Sequence, residues 1–193
     1  VSNGSANGNE LLTLVNSKHP LPSGWKVSLV QLKNGQSIDR RAYAALQDMM
    51  DDARRAGLSP LICSSYRTRA KQEELHKNQV QKFLSEGYSQ SMAEQKASQW
   101  VAPPGTSEHE LGLAVDIVAT DHQLLDETQE HTPEQKWLME NCWKYGFILR
   151  YPTSKSSITG IGYEPWHYRY VGKDAAKQIM EQGICLEEYL NQV

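Results

Sequence analysis

No stretch of the 193-residue sequence approaches the roughly 18 consecutive apolar residues that a membrane-crossing helix needs, and no basic-then-apolar leader opens it. A basic surplus is missing as well. Lys and Arg number 20 against 23 Asp and Glu, a net charge of -3, so nucleic acid and other polyanions are not expected partners. Cysteine is scarce: Cys63, Cys142 and Cys185 are odd in number and stand at no metal-ligand spacing, so a disulfide framework is not indicated. Cys63, among apolar and small residues, reads as a small buried hydrophobe rather than a nucleophile. Repeats are absent, and the one low-complexity tract is the Ser/Asn/Gly-rich run Val1 to Glu10, expected to be a flexible tail. Because the chain starts at Val1 rather than Met, that tail suggests a trimmed leader or anchor. The length supports one well-formed core, so a single domain over 1–193 and a monomer are expected.

What the sequence does hold is a concentration of imidazole and carboxylate in two short segments. The first is Ser107-Glu108-His109-Glu110-Leu111-Gly112-Leu113-Ala114-Val115-Asp116, and the second Glu164-Pro165-Trp166-His167. A mononuclear zinc site with an open position requires three protein ligands and a nearby base. His109, Asp116 and His167 supply the first and Glu164 the second, with Glu108 and Glu110 next in line as bases. If Leu113 to Val118 is a strand, Asp116 shares a face with Gly112, Ala114 and Val118, whose small side chains leave room for a metal and a substrate. Gly112 lets the backbone turn so that His109 folds back over that face. In a regular strand the Glu-x-x-His spacing would place Glu164 and His167 on opposite faces. Pro165, which cannot join a ladder, predicts the bend that brings both to one side.

The composite Ser-x-His-x-x-Gly-x-Ala-x-Asp followed by Glu-x-Trp-His resembles the signature of the zinc D-alanyl-D-alanine carboxypeptidases and dipeptidases of bacterial cell-wall metabolism, a group that includes the vancomycin-resistance carboxypeptidases. Their fold is shared with lysostaphin-type peptidases and hedgehog domains. The likeness continues in Ser64-Ser65-Tyr66-Arg67-Thr68, in Gln72 and in Gly146-Phe147-Ile148-Leu149-Arg150-Tyr151-Pro152, so it spans residues 58 to 171. It implies one Zn²⁺ per chain and removal of the terminal D-Ala from peptidoglycan stem peptides or their precursors. In that reading Glu164 carries the proton and Arg67 stabilises an oxyanion or holds an anionic group. Ser65, Gln72 and Ser107 would bind substrate near its terminus, and Tyr151 and Trp166 would shape the pocket; Ser107 has the competing role of bracing the turn before His109. The site of action implied is the extracytoplasmic face of the bacterial cell envelope, with a cytoplasmic location as the alternative.

Within the same chemistry the rivals are a D,D-dipeptidase, an L,D-carboxypeptidase and a wall endopeptidase. From another class comes a zinc-stabilised binding domain without activity, against which Glu164 speaks, since a structural site closes its fourth position and needs no base.

Local signals predict an α+β domain, with helices packed on one side of a small, largely antiparallel sheet that carries the ligands. Leu11 to Asn16 reads as a short strand, and Val27 to Leu32 as another. Asp39 caps a helix to Ala56 that Gly57 stops. Leu58 to Ser64 reads as a central strand, and Thr68 caps the next helix, which Gly87 ends. Ser91 and Glu94 form a capping box for a helix to about Trp100, a candidate lid or wall of the cleft. The acids and histidines of 119–132 (Asp121, Asp126, Glu127, Glu130, His122, His131) read as a solvated loop more readily than as a second metal site. Thr132-Pro133 opens a helix, Phe147 to Tyr151 and Trp166 to Val171 are strands, and the chain closes with a helix from about Asp174 to Gln182, a stop at Gly183 and a short last turn.

Overall fold

The structure, a computed structural model, describes residues 10–193; of the expected tail, Val1 to Asn9 lies outside the described residues. Glu10 is exposed and pairs with Arg41 at 2.8 Å. The order of elements is β1 (Leu29–Gln31), β2 (Ser37–Asp39), α1 (Arg40–Arg55), β3 (Pro60–Ser64), α2 (Arg69–Ser85), α3 (Gln90–Ser98), β4 (Ala114–Ala119), α4 (Pro133–Asn141), β5 (Phe147–Leu149), α5 (Ser156–Thr159), β6 (His167–Tyr170), α6 (Lys173–Gln182) and α7 (Leu186–Leu190). Short 3-10 turns occupy Glu108–Leu111, Glu127–His131 and Cys142–Tyr145.

Strands β1 and β2 form an antiparallel hairpin, and the central antiparallel sheet has the order β3-β4-β6-β5. Register decides what shares a face. Asp116 lies opposite His167 and Ala114 opposite Arg169, while Ile148 lies opposite Arg169. All of these therefore point to one side. A register shift between Ile62 and Ser64 brings Ser64 opposite Asp116 as well, a bulge that re-aims the end of β3 toward the site.

The other face carries the main core. Leu113, Val115 and Ile117 of the β4 segment, Phe147 of β5 and Tyr168 of β6 pack there with Leu46, Met49 and Met50 of α1 and Leu138 of α4. The split between Val115 or Ile117 and Asp116 is the alternation read from the sequence. In addition to these helices, α6 and α7 lie on the site face of the edge strand β5, where Ile148 packs with Ala176, Ile179 and Leu186.

Helix ends follow local chemistry. The side chains of Asp39, Thr68 and Thr132 accept hydrogen bonds from Arg41, Lys71 and Gln135 amides, and Pro133 sits in the first turn of α4. Thr132 is nearly buried and its hydroxyl also donates to Gln129 O at 2.8 Å. Thr132→Ala should therefore cost about 1–2 kcal/mol, measured as a lower urea midpoint with an unchanged slope; an unaltered midpoint would show that α4 does not depend on its cap.

Three local expectations are corrected. The strand at Leu58 to Ser64, β3, stands at an edge of the four-stranded sheet and not at its centre. The cap of α3 is Ser89, bonded to the Met92 amide, not Ser91. Leu11 to Asn16 is not a strand: the carbonyls of Leu11 and Thr13 accept from the Arg169 guanidinium at 2.8 Å each instead of from a ladder. The segment's alternation is nonetheless used, because Leu12 and Leu14 pack on the C-terminal helices while Leu11 and Val15 pack on the main core.

Candidate metal centre

His109, Asp116 and His167 are buried, and each offers one ligand atom within 4.8 Å of the others. Each position has a local cause. His109 rides on the 3-10 turn, which Ser107 caps and which ends at Gly112 with φ of 79°. A Cβ at Gly112 would stand 2.7 Å from the Val27 side chain, so this return needs glycine on both conformational and steric grounds. Asp116 and His167 are direct cross-strand partners. Glu164 reaches the same side through the turn expected at Pro165: the His167 amide donates to Glu164 O at 3.3 Å and the Glu164 amide to Tyr151 O at 3.1 Å.

The ring nitrogens are sorted by their partners. His109 Nδ1 lies 2.7 Å from Ser65 O, a carbonyl that only accepts, so Nδ1 carries the proton and Nε2 faces Asp116 Oδ1 at 3.3 Å. His167 presents Nδ1 to Asp116 Oδ1 at 3.0 Å, while its Nε2 lies 3.2 Å from Glu108 Oε2. Both free nitrogens and a carboxylate oxygen thus converge, and the other ring nitrogen of each histidine is tied down behind. Two imidazoles and one carboxylate are a donor set suited to zinc.

Glu164 Oε2 stands 3.8 Å from His167 Nδ1, and among the described residues its carboxylate makes no side-chain hydrogen bond. Burial, reinforced by the charge of Asp116, pushes its pKa up to about 8. Burial also disfavours charge on Asp116, but the two histidines outweigh it and hold the carboxyl well below the usual range. His167 is raised to about 9 because its bonds to Asp116 and Glu108 outweigh burial, whereas burial and Arg67 lower His109.

Arg67 closes one side. Its Nη2 donates to Asp116 Oδ2 at 3.1 Å, its Nε to Ser64 Oγ at 2.9 Å and its Nη1 to Gln72 Oε1 at 3.2 Å. Gln72 is buried in the first turns of α2 and gives its amide nitrogen to Ala102 O at 2.7 Å. A cleft of about 560 Å³ opens over the centre, with Arg67, Ser107, Tyr151, Glu164 and Trp166 in its wall together with Phe83 and Trp100. The segment that includes α3 therefore serves as a wall: Gly162, whose amide bonds Gln99 O at 2.8 Å, packs directly on the Trp100 ring. Ser107 lines the cleft and also caps the turn, accepting from the His109 amide at 3.3 Å.

Ser65 differs from expectation. Its hydroxyl is buried against the Ser37 backbone and does not line the cleft; what it contributes is the carbonyl that orients His109. Neither spare base candidate lines the cleft. Glu110 Oε2 accepts the Gly105 amide at 2.8 Å and, as part of the capping box, the Ser107 amide at 3.4 Å. Glu108 is sealed between Arg150 Nε (2.6 Å) and Arg169 Nη1 (2.8 Å), and although burial opposes its charge the two guanidiniums hold it well below the usual carboxylate range. Sequence reasoning missed this buried cluster. Its signal was the His-Tyr-Arg-Tyr run of β6, in which Arg169 alternates onto the face of His167. Cys63 is half-buried with its Sγ 3.5 Å from Asp116 O, and burial pushes its thiol up to about 12; among the described residues the acids of 119–132 assemble no second metal cluster.

Residues 35–173 match the family model described as VanY, D-alanyl-D-alanine carboxypeptidase. A D-alanyl-D-alanine carboxypeptidase of Enterococcus faecalis is 49% identical over 93% of this chain and 65% of its own length. The chain thus spans a little under two thirds of that relative. A crystal structure of a single-residue variant of the vancomycin-resistance D,D-pentapeptidase VanY from a VanB-type cassette, in complex with Zn(II), superposes with a TM-score of 0.87 at 48% identity, covering 94% of this chain and 99% of that one. The LdcB LD-carboxypeptidase superposes with a TM-score of 0.82 at 38% identity, over 97% and 89% of the two chains.

Proposed function

The chain belongs to the VanY family of D-alanyl-D-alanine carboxypeptidases, and on that premise we propose that it is a zinc-dependent carboxypeptidase removing the terminal D-Ala from peptidoglycan stem peptides or their precursors. One observation supports this above the rest: three converging ligand atoms open onto a cleft in whose wall stands a carboxylate with no other partner. His109 Nε2, Asp116 and His167 Nδ1 would hold one Zn²⁺. The chemistry such an ion supplies is Lewis acidity toward a peptide carbonyl and activation of water at neutral pH.

The remaining work falls to the protein's own groups. Glu164 takes a proton from the attacking water and returns it to the leaving amine. Arg67 faces the developing oxyanion or the substrate's carboxylate with a fixed positive charge. Gln72 acts on substrate through the guanidinium it holds. Tyr151, whose ring centroid lies 4.7 Å from that of His167, and Trp166 form the wall against which the terminal residues lie. We place the reaction at the extracytoplasmic face of the envelope, carried out by a monomer without nucleic acid. The likeness to an LD-carboxypeptidase makes L,D cleavage the second reading.

The test is incubation of zinc-loaded protein with a stem pentapeptide ending in D-Ala-D-Ala, the corresponding tetrapeptide and free D-Ala-D-Ala, with products identified by mass. The pentapeptide should lose one alanine. Turnover of the tetrapeptide alone would favour the L,D reading, turnover of the free dipeptide alone a dipeptidase, and a cut inside the stem an endopeptidase. A folded, zinc-bound protein that turns over none of them would be a binding domain.

A further inference from the structure

Behind the metal ligands, on the side away from the cleft, lies a chain of buried charges that the proposed reaction does not use. Glu108, Arg150 and Arg169 are essentially without solvent exposure. Glu108 Oε1 takes both guanidiniums, from Arg150 Nε at 2.6 Å and from Arg169 Nη1 at 2.8 Å, while Oε2 is left to His167 Nε2 at 3.2 Å. Arg150 then extends both terminal nitrogens to Glu187 of α7, at 2.8 and 2.7 Å. Glu187 also accepts from Asn16 at 3.2 Å, and Arg169 ties to the Leu11 and Thr13 carbonyls. Burying this many charges is costly unless each is paired and hydrogen-bonded, and here two carboxylates meet two guanidiniums. The division of labour within Glu108 is the telling feature: one oxygen neutralises the arginines and the other is reserved for an imidazole whose opposite nitrogen faces Asp116.

From this geometry we infer that Glu108 is a positioning residue for the metal centre: it holds His167 by Nε2–H so that Nδ1 is the ligand atom, and Arg150 and Arg169 fix Glu108 in place. A carboxylate behind a ligating histidine sets its tautomer and ring orientation and makes it a better donor, and removing such a partner typically weakens metal binding about 10- to 100-fold. The inference rests on the proposed zinc site, and it assigns the Arg150–Glu187 pair a different job, that of anchoring α7.

E108D separates positioning from charge balance, because it keeps the buried negative charge that offsets the two arginines while drawing the carboxylate back by one methylene from the imidazole it holds. With zinc affinity read by competition with a chromophoric chelator, and folding by circular dichroism, E108D should fold and bind zinc about 10- to 100-fold more weakly. E187D, which loosens the same network one step farther out, should stay within about threefold of the unaltered protein, the margin set against that expected loss. Equal affinity in E108D and the unaltered protein, or an equal loss in E108D and E187D, overturns the inference. An unaltered protein that takes up no zinc refutes instead the site on which it rests. Should E108D fail to fold, ¹⁵N-imidazole spectra of the unaltered zinc-loaded protein still decide: a proton on His167 Nε2 protected from exchange supports the assignment, and an Nε2 that binds metal or lacks the proton overturns it.

Discussion

Glu164→Gln should keep the fold and about one zinc per chain while losing about 10²–10⁴ of kcat, the usual worth of a general base. The carboxylate stands 3.8 Å from a ligand nitrogen and is almost fully buried, so the amide fits its space without repacking. What the amide cannot do is accept a proton and release it again. Burial pushes the acid up to about 8, and a dication at the three ligand atoms would draw it down again, since a bound cation is the largest charge in such a site. The two effects oppose each other on the group that must both take up and release the proton. His109→Ala should behave differently, losing metal and activity together. Zinc content and steady-state rates on the same preparations distinguish the two. Near-normal turnover in Glu164→Gln would remove the base from this position, and neither carboxylate beside His109 is placed to inherit it: Glu108 is held by two arginines, and Glu110, whose Oε2 accepts backbone amides, does not line the cleft.

Much of this site was legible because its parts are local. The Ser107 cap, the Gly112 return, the alternation that sends Asp116 away from Val115 and Ile117, and the irregular turn at Pro165 are each set by residues a few positions apart. Helix starts at Asp39, Thr68 and Thr132 were legible for the same reason. What stayed hidden depends on partners far along the chain. Whether Glu108 is a spare base or a sealed ion pair is decided by Arg150 and Arg169, and Leu11 to Asn16 has a strand's pattern while its carbonyls serve a guanidinium from β6. Ser65 sits in a motif that suggests substrate contact, yet the bulge at the end of β3 turns its hydroxyl to Ser37 and leaves only its carbonyl to the site. Periodicity tells which face a residue is on and not which partner it finds there.

At the substrate's end, Arg67→Ala should lower kcat/KM for a D-Ala-D-Ala-terminated peptide by about 10²–10⁴, and Arg67→Lys should recover little of it. Three of the guanidinium's five N–H groups are committed, to Ser64, Gln72 and Asp116, leaving one on each terminal nitrogen for an anion in the cleft. Two charge-assisted bonds at about 1.5–3 kcal/mol each account for the size of the loss, and a lysine offers a point charge where a planar fork is required. Which anion is met is read from the substrate. If Arg67 holds the terminal carboxylate, the unaltered enzyme should cut the C-terminal amide of the same peptide at least about tenfold more slowly than the acid, tenfold being 1.4 kcal/mol. Arg67→Ala should then close that gap, and Gln72→Ala should narrow it, since Gln72 acts by aiming the fork. A gap that persists in Arg67→Ala would assign the guanidinium to the oxyanion instead. Amide and acid cleaved equally fast by the unaltered enzyme would mean that no free terminus is recognised at all, and the carboxypeptidase reading would give way to an endopeptidase.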